Sequence, residues 1–507
     1  MQLSSPKRSS TQPDSSIGMA LNFDVLLVIG SYLDTRTLSF LLRTCQSLAC
    51  HRNLLVKDRK IYLRTLSSVT SFCDFVHADP QRSALIREVV LILRISMSVR
   101  RSGVLAFFEY LNQILQEAEN LLHLDIRAPH FASTDFGAYI DLFPRLARIT
   151  TLRTLSLRCA SLPVERTALS LLVKCQSQVE NLTLVFYPPP LPPADHIAIL
   201  PAEVFLSQIV NSLATLDLTL TKIESTNLVF HRLHTLTLRS NRTKDIEPYL
   251  VACPNLRHLR LLSVDDPFSY SDNVNSRTRN LSIQQDEIKK VGWRHLQDCT
   301  GDLRSIFLLA IRNVSRLHIT QPISLKFDDE IDMLHVVLQC ARPKCLAIAL
   351  EPYVDTEEDL LAVSTLVPAS FPLEAICVTI DFTITGLTVE RLEGKMDTLI
   401  ALLCTLRVTH LLVHITGFLS YYRDRRFRSN ICWNLPALDG IDSEALARRF
   451  AEASATLSHV FVAISETETF WEVVRGMEGA AVRRLEEGQG EEIKQEMNMR
   501  ETDYLEP

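Results

Sequence analysis

One frame recurs along this chain and constrains its fold more than any other feature: apolar–x–x–apolar–x–apolar, with mostly polar residues in the gaps. It appears as LLHLDI (121–126), LRTLSL (152–157), VENLTL (179–184), LATLDL (213–218), LHTLTL (233–238) and LRHLRL (256–261). Later copies are VSRLHI (314–319), LEAICV (373–378), VTHLLV (408–413) and LSHVFV (457–462). Leucine is common enough here that the bare frame arises by chance on the order of ten times. Context therefore matters more than the count. Several copies follow an apolar helical segment and a short turn, as in LSLLVKCQSQVENLTL, YLVACPNLRHLRL, FLLAIRNVSRLHI and LLCTLRVTHLLV. Helix, turn and alternating strand make one unit. Such a unit has two apolar faces and cannot bury both alone, so neighbours must stack.

The first six copies start at 121, 152, 179, 213, 233 and 256, giving intervals of 31, 27, 34, 20 and 23. These sit around the ~20–29-residue period of leucine-rich repeats. The expectation is an α/β chain whose body is an irregular leucine-rich-repeat solenoid, with parallel strands on the concave side and helices outside. The regularity breaks after Leu261, where the polar stretch 265–287 reads as an exposed loop and later copies are widely spaced. The expected organisation is a disordered tail (1–18), a short all-α module (19–66) and a helical linker with the first solenoid elements (67–120). Repeats (121–262), the loop (263–290), degenerate repeats (291–480) and an acidic tail (481–507) follow, in which 486–507 reads as a short helix fraying into the tail.

Composition narrows the function classes. Hydrophobic residues make up 47% of the 507-residue chain and charged residues 22%, enough for a sizeable core. The net charge of −6 supplies no basic face for nucleic acid. The 12 cysteines show no C-x-x-C pair and no zinc spacing, and read as reduced, buried thiols of an intracellular protein. Residues 1–18 lack the apolar core of a signal peptide. The most apolar window, 397–419, is interrupted by Arg407, His410 and His414, and reads as a helix followed by a buried strand. The expected location is the cytosol or nucleus, without membrane, nucleic-acid, metal or cofactor binding.

No P-loop, G-x-S-x-G elbow, H-E-x-x-H or Rossmann glycine pattern is present. His77 and Asp79 read as a helix-ending turn before Pro80. Asp328-Asp329-Glu330 and Glu357-Glu358-Asp359 read as helix starts or solvated surface. No catalytic residue is assigned.

Ahead of the repeats stands LNFDVLLVIGSYLDTRTLSFLLRTCQSL (21–48). Leu26, Ile29 and Leu33 share one helix face. Asn22 can cap its start, with Asp24 in the first turn. Asp34 or Thr35 can cap a second helix carrying Leu38, Leu41, Leu42 and Cys45, and LLVKDRKIYLRTL (54–66) reads as a third. Three short helices bury too little surface to be very stable alone.

This stretch resembles an F-box, through Leu21, Asp24, Val25, Leu26, Ile29, Tyr32, Leu33, Leu38, Leu41 and Cys45. F-boxes normally carry Pro after the first Leu; Asn22 stands there. With the repeats behind it, the chain resembles the large fungal, basidiomycete-type group of F-box proteins. The resemblance implies the substrate receptor of a ubiquitin ligase, recruiting a Skp-type adaptor, and through it a cullin, by Leu21, Asn22, Asp24, Leu26, Ile29, Leu33 and Leu38. The repeats would present a protein substrate, and no covalent chemistry would occur on this chain. Arg158, His234, Arg239, His258 and Arg260 occupy outward x positions and are the candidate substrate contacts. Two other classes stand beside it: a scaffold whose F-box-like helices only cap the solenoid, and an enzyme with a site assembled from distant residues.

Overall fold

The computed structural model describes residues 28–29, 32–33, 35–44, 53, 56–57, 59–92, 111, 114–115, 117–128, 146–159, 172–186, 200–201, 203–219, 221–223, 228–239, 245–262, 270–285, 293, 296–324, 328–351, 373–381, 396–397, 399–400, 403–404, 406–416, 441–464, 467–477 and 479–497. Sixteen strands form one sheet, and their order in space is their order in sequence. They are β1 (Lys60–Leu63), β2 (Glu88–Ile92), β3 (His123–Ala128), β4 (Thr154–Cys159), β5 (Asn181–Phe186), β6 (Thr215–Thr219), β7 (Thr235–Arg239) and β8 (His258–Leu262). They continue as β9 (Asp298–Gly301), β10 (Arg316–Ser324), β11 (Cys345–Glu351), β12 (Ala375–Asp381), β13 (His410–Thr416) and β14 (His459–Ile464). Strands β1 to β14 are parallel. A hairpin of β15 (Thr467–Gly476) and β16 (Gly479–Arg484) ends the sheet antiparallel. The sheet is open, and this one-direction stacking is compatible with a solenoid.

All ten recurrences of the frame lie on these strands, in one register. Leu124, Leu155, Leu182, Leu216, Leu236 and Leu259 are successive register partners, as are Ile126, Leu157, Leu184, Leu218, Leu238 and Leu261. Two unbroken apolar rows result, all buried, on what we call the back face. One core runs under them from Val56 to Trp471. Each row adds a strand's worth of apolar surface that only the neighbouring unit can cover. The residue before each strand bonds to its counterpart one unit back. Glu180 N donates to Arg153 O at 2.8 Å, Ala214 N to Glu180 O at 2.8 Å and Ser458 N to Thr409 O at 2.8 Å.

The described α-helices of six residues or more are α1 (Thr35–Thr44), α2 (Leu66–His77), α3 (Glu247–Ala252), α4 (Tyr270–Gln285), α5 (Leu303–Leu309), α6 (Asp328–Ala341), α7 (Ser443–Ala453) and α8 (Glu487–Glu496), and a single turn spans Glu203–Leu206. α2, α3, α5, α6 and α7 sit in the connections leading to strands, as helix–turn–strand units require. Each start has a local cause. Thr65 and Ser68 form a reciprocal capping box on α2. Asp302 Oδ1 accepts from Ser305 N at 2.8 Å and Asp442 caps α7. Asp79 ends the α2 turn by capping a 3₁₀ segment at Pro80, and Asp328-Asp329-Glu330 open α6. Gly301 takes a leucine-row position in β9. A Cβ there would stand 2.8 Å from Leu261 Cβ and 2.9 Å from Leu261 O, so only glycine lets that strand approach.

Four expectations change. The third N-terminal segment is not helical throughout: Lys60–Leu63 is β1, the edge of the sheet. The sequence KIYL alternates, and its Ile61 and Leu63 join the back-face rows. The stretch 263–290, expected as loop, contains helix α4. It is too polar to show a helical stripe, and docks instead by side-chain hydrogen bonds. Asn280 Nδ2 donates to Leu308 O at 2.9 Å, and Gln284 Nε2 donates to Leu309 O at 2.9 Å and to Ala310 O at 3.1 Å. Arg277 reaches Phe307 O. Together they satisfy the carbonyls left open at the end of α5. Past 291 the register holds through β14 with one shift, between Ile319 and Ile323, so these repeats are irregular in length rather than in pairing. Finally, the acidic segment is not a free tail: 479–484 is β16, and the short helix expected past 486 is α8 at 487–496, docked against β15 and the second core rather than fraying.

Candidate functional site

The face opposite the leucine rows, the front face, carries the residues that alternate with them. Its middle row runs Asp125, Ser156, Thr183, Asp217, Thr237, Arg260, Thr300 and His318 from β3 to β10. Two residues further along, Arg127 and Arg158 are register partners and Thr219 pairs with Arg239. Adjacent strands lie about 4.8 Å apart, so these polar groups form a continuous surface. In β11 to β15 the same middle row turns apolar: Ala347, Cys377, Leu412, Phe461 and Phe470.

Four of the five residues expected to contact substrate fall on the front face. Arg158 and Arg239 occupy its far row, Arg260 the middle row and His258 the first. His234 precedes β7 and sits off the rows, exposed. Its pKa is lowered by partial burial and by the neighbouring charges of His258 and Arg257.

Two of these side chains are already engaged. Arg239 grips Asp217 on the neighbouring strand, Nε to Oδ1 at 2.8 Å and Nη2 to Oδ2 at 3.0 Å. His258 Nδ1 hydrogen-bonds to Asp298, whose other oxygen pairs with Arg316 Nε at 2.7 Å. One carboxylate thereby ties three adjacent strands. Arg260 is exposed. Arg158 Nε is buried without a partner, as are Ser156 Oγ and Asp125 Oδ1. Sequence reasoning missed Asp125, Ser156, Asp217, Asp298 and Arg316. The signal for Asp217 and Ser156 was the frame itself, since each fills the single x between its last two leucines.

The apolar end of the front face is covered. Leu412, Phe461 and Phe470 form a second core, separate from the first, against which Ile493 and Met497 of the C-terminal segment pack. Gly490 lets α8 come down on Phe470: a Cβ there would lie 2.1 Å from the ring. Lys494 Nζ reaches both oxygens of Glu468, at 2.8 and 2.7 Å, with its side chain only 7% exposed. Beside this core His410 and His459 stack, with Nε2 and Nδ1 3.1 Å apart. Burial, and then the His459 charge, push His410 down to about 4.

At the other end lies the N-terminal module. Ile29 is 41% exposed and Tyr32 86%. Leu33 is half-buried, and its carbonyl accepts from Arg59 Nη1 at 2.5 Å. Leu38 and Leu42 on α1 are buried. Leu21, Asn22, Asp24 and Leu26 lie outside the described residues.

Among the described residues no group of three or more His, Cys, Asp or Glu side chains could hold a metal ion. No described helix is long and apolar enough to cross a membrane. The described cysteines are unpaired, and burial pushes Cys253 and Cys299 up to about 12. The arrangement is a hydrogen-bonding and charged platform on a rigid sheet, suited to binding. Compared with protein-family models and with curated proteins, the chain matches none.

Proposed function

We propose that this chain is the substrate-recognition subunit of a Skp/cullin/F-box ubiquitin ligase. In this reading the body is an irregular leucine-rich-repeat solenoid with the front face concave, and residues 19–66 hold an F-box. The F-box seats its apolar helix face in a groove of a Skp-type adaptor. The polar rows of the front face hold a protein substrate near a ubiquitin-charged enzyme, raising its effective concentration. The chain does this work in the cytosol or nucleus and performs no covalent step.

The observation that carries this reading is the exposure of Ile29 and Tyr32 ahead of the sheet, where a module serving only as a cap would bury them. The scaffold reading also has an observation in its favour. Leu38 and Leu42 on α1 are buried, and Arg59, next to β1, holds the Leu33 carbonyl, as helices that cap the solenoid would require.

Co-purification with a Skp-type adaptor decides between them. The wild-type chain is expected to retain the adaptor in a one-to-one complex. The Leu26→Asp/Ile29→Asp variant is expected to lose it while its thermal unfolding stays that of the wild type. A wild-type chain that captures no adaptor sinks the receptor role and leaves the scaffold.

A further inference from the structure

Arginines meet in two places on the polar half of the front face. Arg127 and Arg158 are register partners on β3 and β4, on the same side of the sheet. On β7 and β8, Arg260 pairs with Thr237, two residues before Arg239, so these two arginines are diagonal neighbours. Like charges directly opposed across strands repel, and diagonal neighbours about 7–8 Å apart still lie within reach of long side chains. One aspartate answers each pair: Asp125 Oδ2 accepts from Arg127 Nε at 2.8 Å, and Asp217 accepts from Arg239 Nε and Nη2. Each pair therefore sets two guanidinium groups against one carboxylate, an excess of one positive charge, on a chain whose net charge is −6. The excess faces solvent. Arg260 is exposed, Arg158 is half-buried, and the side chains of Arg127 and Arg239 are 39% and 25% exposed.

The layout between the pairs sets a spacing. Arg158 on β4 and Arg239 on β7 lie in the same row, with the buried Val185 and Thr219 between them on β5 and β6. Three strand spacings of about 4.8 Å put the two pairs about 14 Å apart. An extended chain rises about 3.4 Å per residue, so four residues span that distance. Residues i and i+4 also point to the same side of an extended chain, whereas i and i+3 point to opposite sides. A segment laid across the strands with acidic residues at i and i+4 gives one carboxylate to each pair.

Charge chooses among anions. An excess of one at each pair matches a carboxylate, which the planar guanidinium fork takes two hydrogen bonds at a time. A phosphoryl group brings nearly two charges. A nucleic-acid backbone, with its closely spaced phosphates, would also lie over Asp125 and Asp217.

We propose that Arg127 with Arg158, and Arg239 with Arg260, bind an extended acidic segment of the protein substrate through Glu or Asp side chains four residues apart. This assignment deepens the receptor reading and rests on it, since only that reading makes the bound segment a substrate's.

The test uses the full chain and three acetylated, amidated peptides, followed by ligand-observed NMR. They are Thr-Glu-Thr-Thr-Thr-Glu-Thr, its isomer Thr-Glu-Thr-Thr-Glu-Thr-Thr, and Thr-Gln-Thr-Thr-Thr-Gln-Thr. The first is expected to bind about tenfold tighter than the glutamine peptide, as loss of hydrogen bonds to charged groups predicts, and several-fold tighter than its isomer. Raising salt from about 0.05 M to about 0.5 M should remove most of that advantage. Arg260→Gln, at an exposed position where the fold is kept, should weaken the preference several-fold, and Arg158→Gln with Arg260→Gln should erase it. Equal binding of the first and the glutamine peptide overturns the proposal, as does the absence of saturable binding below about 10 mM. Equal binding of the two glutamate isomers overturns the four-residue spacing. A peptide with phosphoserine at both glutamate positions that binds more than about tenfold tighter than the first reassigns the surface to phosphate and overturns the carboxylate. Adaptor co-purification is scored separately. Adaptor binding without glutamate preference removes this surface alone, whereas the preference without adaptor binding removes the ligase role and keeps the surface.

Discussion

The front face is two surfaces built on one set of strands. From β3 to β10 its middle row is Asp, Ser, Thr, Arg and His, paired across strands by Asp217–Arg239 and by the Asp298 cluster. From β11 to β15 the same row is Ala, Cys, Leu and Phe, and α8 lies over it. The back face does not change along the way: its leucine-type rows run through both halves. Repeats thus carry two separable messages. The back-face positions hold neighbours together, and the front-face positions decide whether a unit presents polar groups or packs into a second core. We expect the polar half to add less to stability than the apolar half, which packs against one chain segment.

If that difference is real, mutations should sort by half. Phe461→Ala is expected to cost about 3–5 kcal/mol in denaturant unfolding, whereas Thr183→Ala, in the equivalent row of the open half, should stay within about 0.5 kcal/mol. Equal costs would erase the distinction. Lys494→Met removes the buried ammonium that meets both oxygens of Glu468, itself 17% exposed, and should loosen α8 by about 3 kcal/mol. Hydrogen exchange across 487–497 would report that opening, with β3 to β8 unaffected.

Acid offers a third, shallower way to separate the halves. His410 titrates near 4 in the folded chain, against about 6.5 unfolded. His459 is also lowered by burial, while Glu374 and Glu472 pull the two residues the other way. Between those values the unfolded chain binds more protons than the folded one, so stability rises with pH there. Full stability is expected above about pH 6.5, with loss as pH falls toward 4. Unfolding midpoints at the two ends of that window should differ less in His410→Gln than in wild type. In the polar half, Arg239→Ala breaks a bidentate pair that still sees solvent and should cost only about 1 kcal/mol. A cost of several kcal/mol would mean that the open half is also part of the core.

Much of the fold was legible because the frame is a period-two pattern anchored by leucine. Each recurrence located a strand, and the register followed, since a one-residue slip would turn every leucine to solvent. The frame missed β2, β9 and β11. β9 reads DCTG, and its Gly301 replaces a row leucine for reasons visible only beside Leu261. β1 was taken for helix because its alternation spans only four residues. The candidate site was half legible. The x positions pointed to Arg158, Arg239, His258 and Arg260, and the structure brings them to one face. Which of them were already paired was not legible, because the partners Asp217 and Asp298 lie 22 and 40 residues away.

The C-terminal segment marks where sequence and tertiary structure divide the work. EEGQGEEIKQEM has two glycines, many acids and no apolar stripe, so it reads as a short helix fraying into a tail, and nothing local argues that the helix docks. The second core supplies what the segment lacks. Phe470 accepts Gly490 because no Cβ intervenes, and Glu468 gives Lys494 a buried counter-ion. The sequence by itself determined the repeating strand, its buried face and the stacking of units, since alternation and the need to cover apolar surface act over a few residues. Only the tertiary structure decided that α4 caps α5 and that α8 closes one end of the front face. Those outcomes rest on contacts between residues far apart in the chain, whose local sequence carries no period.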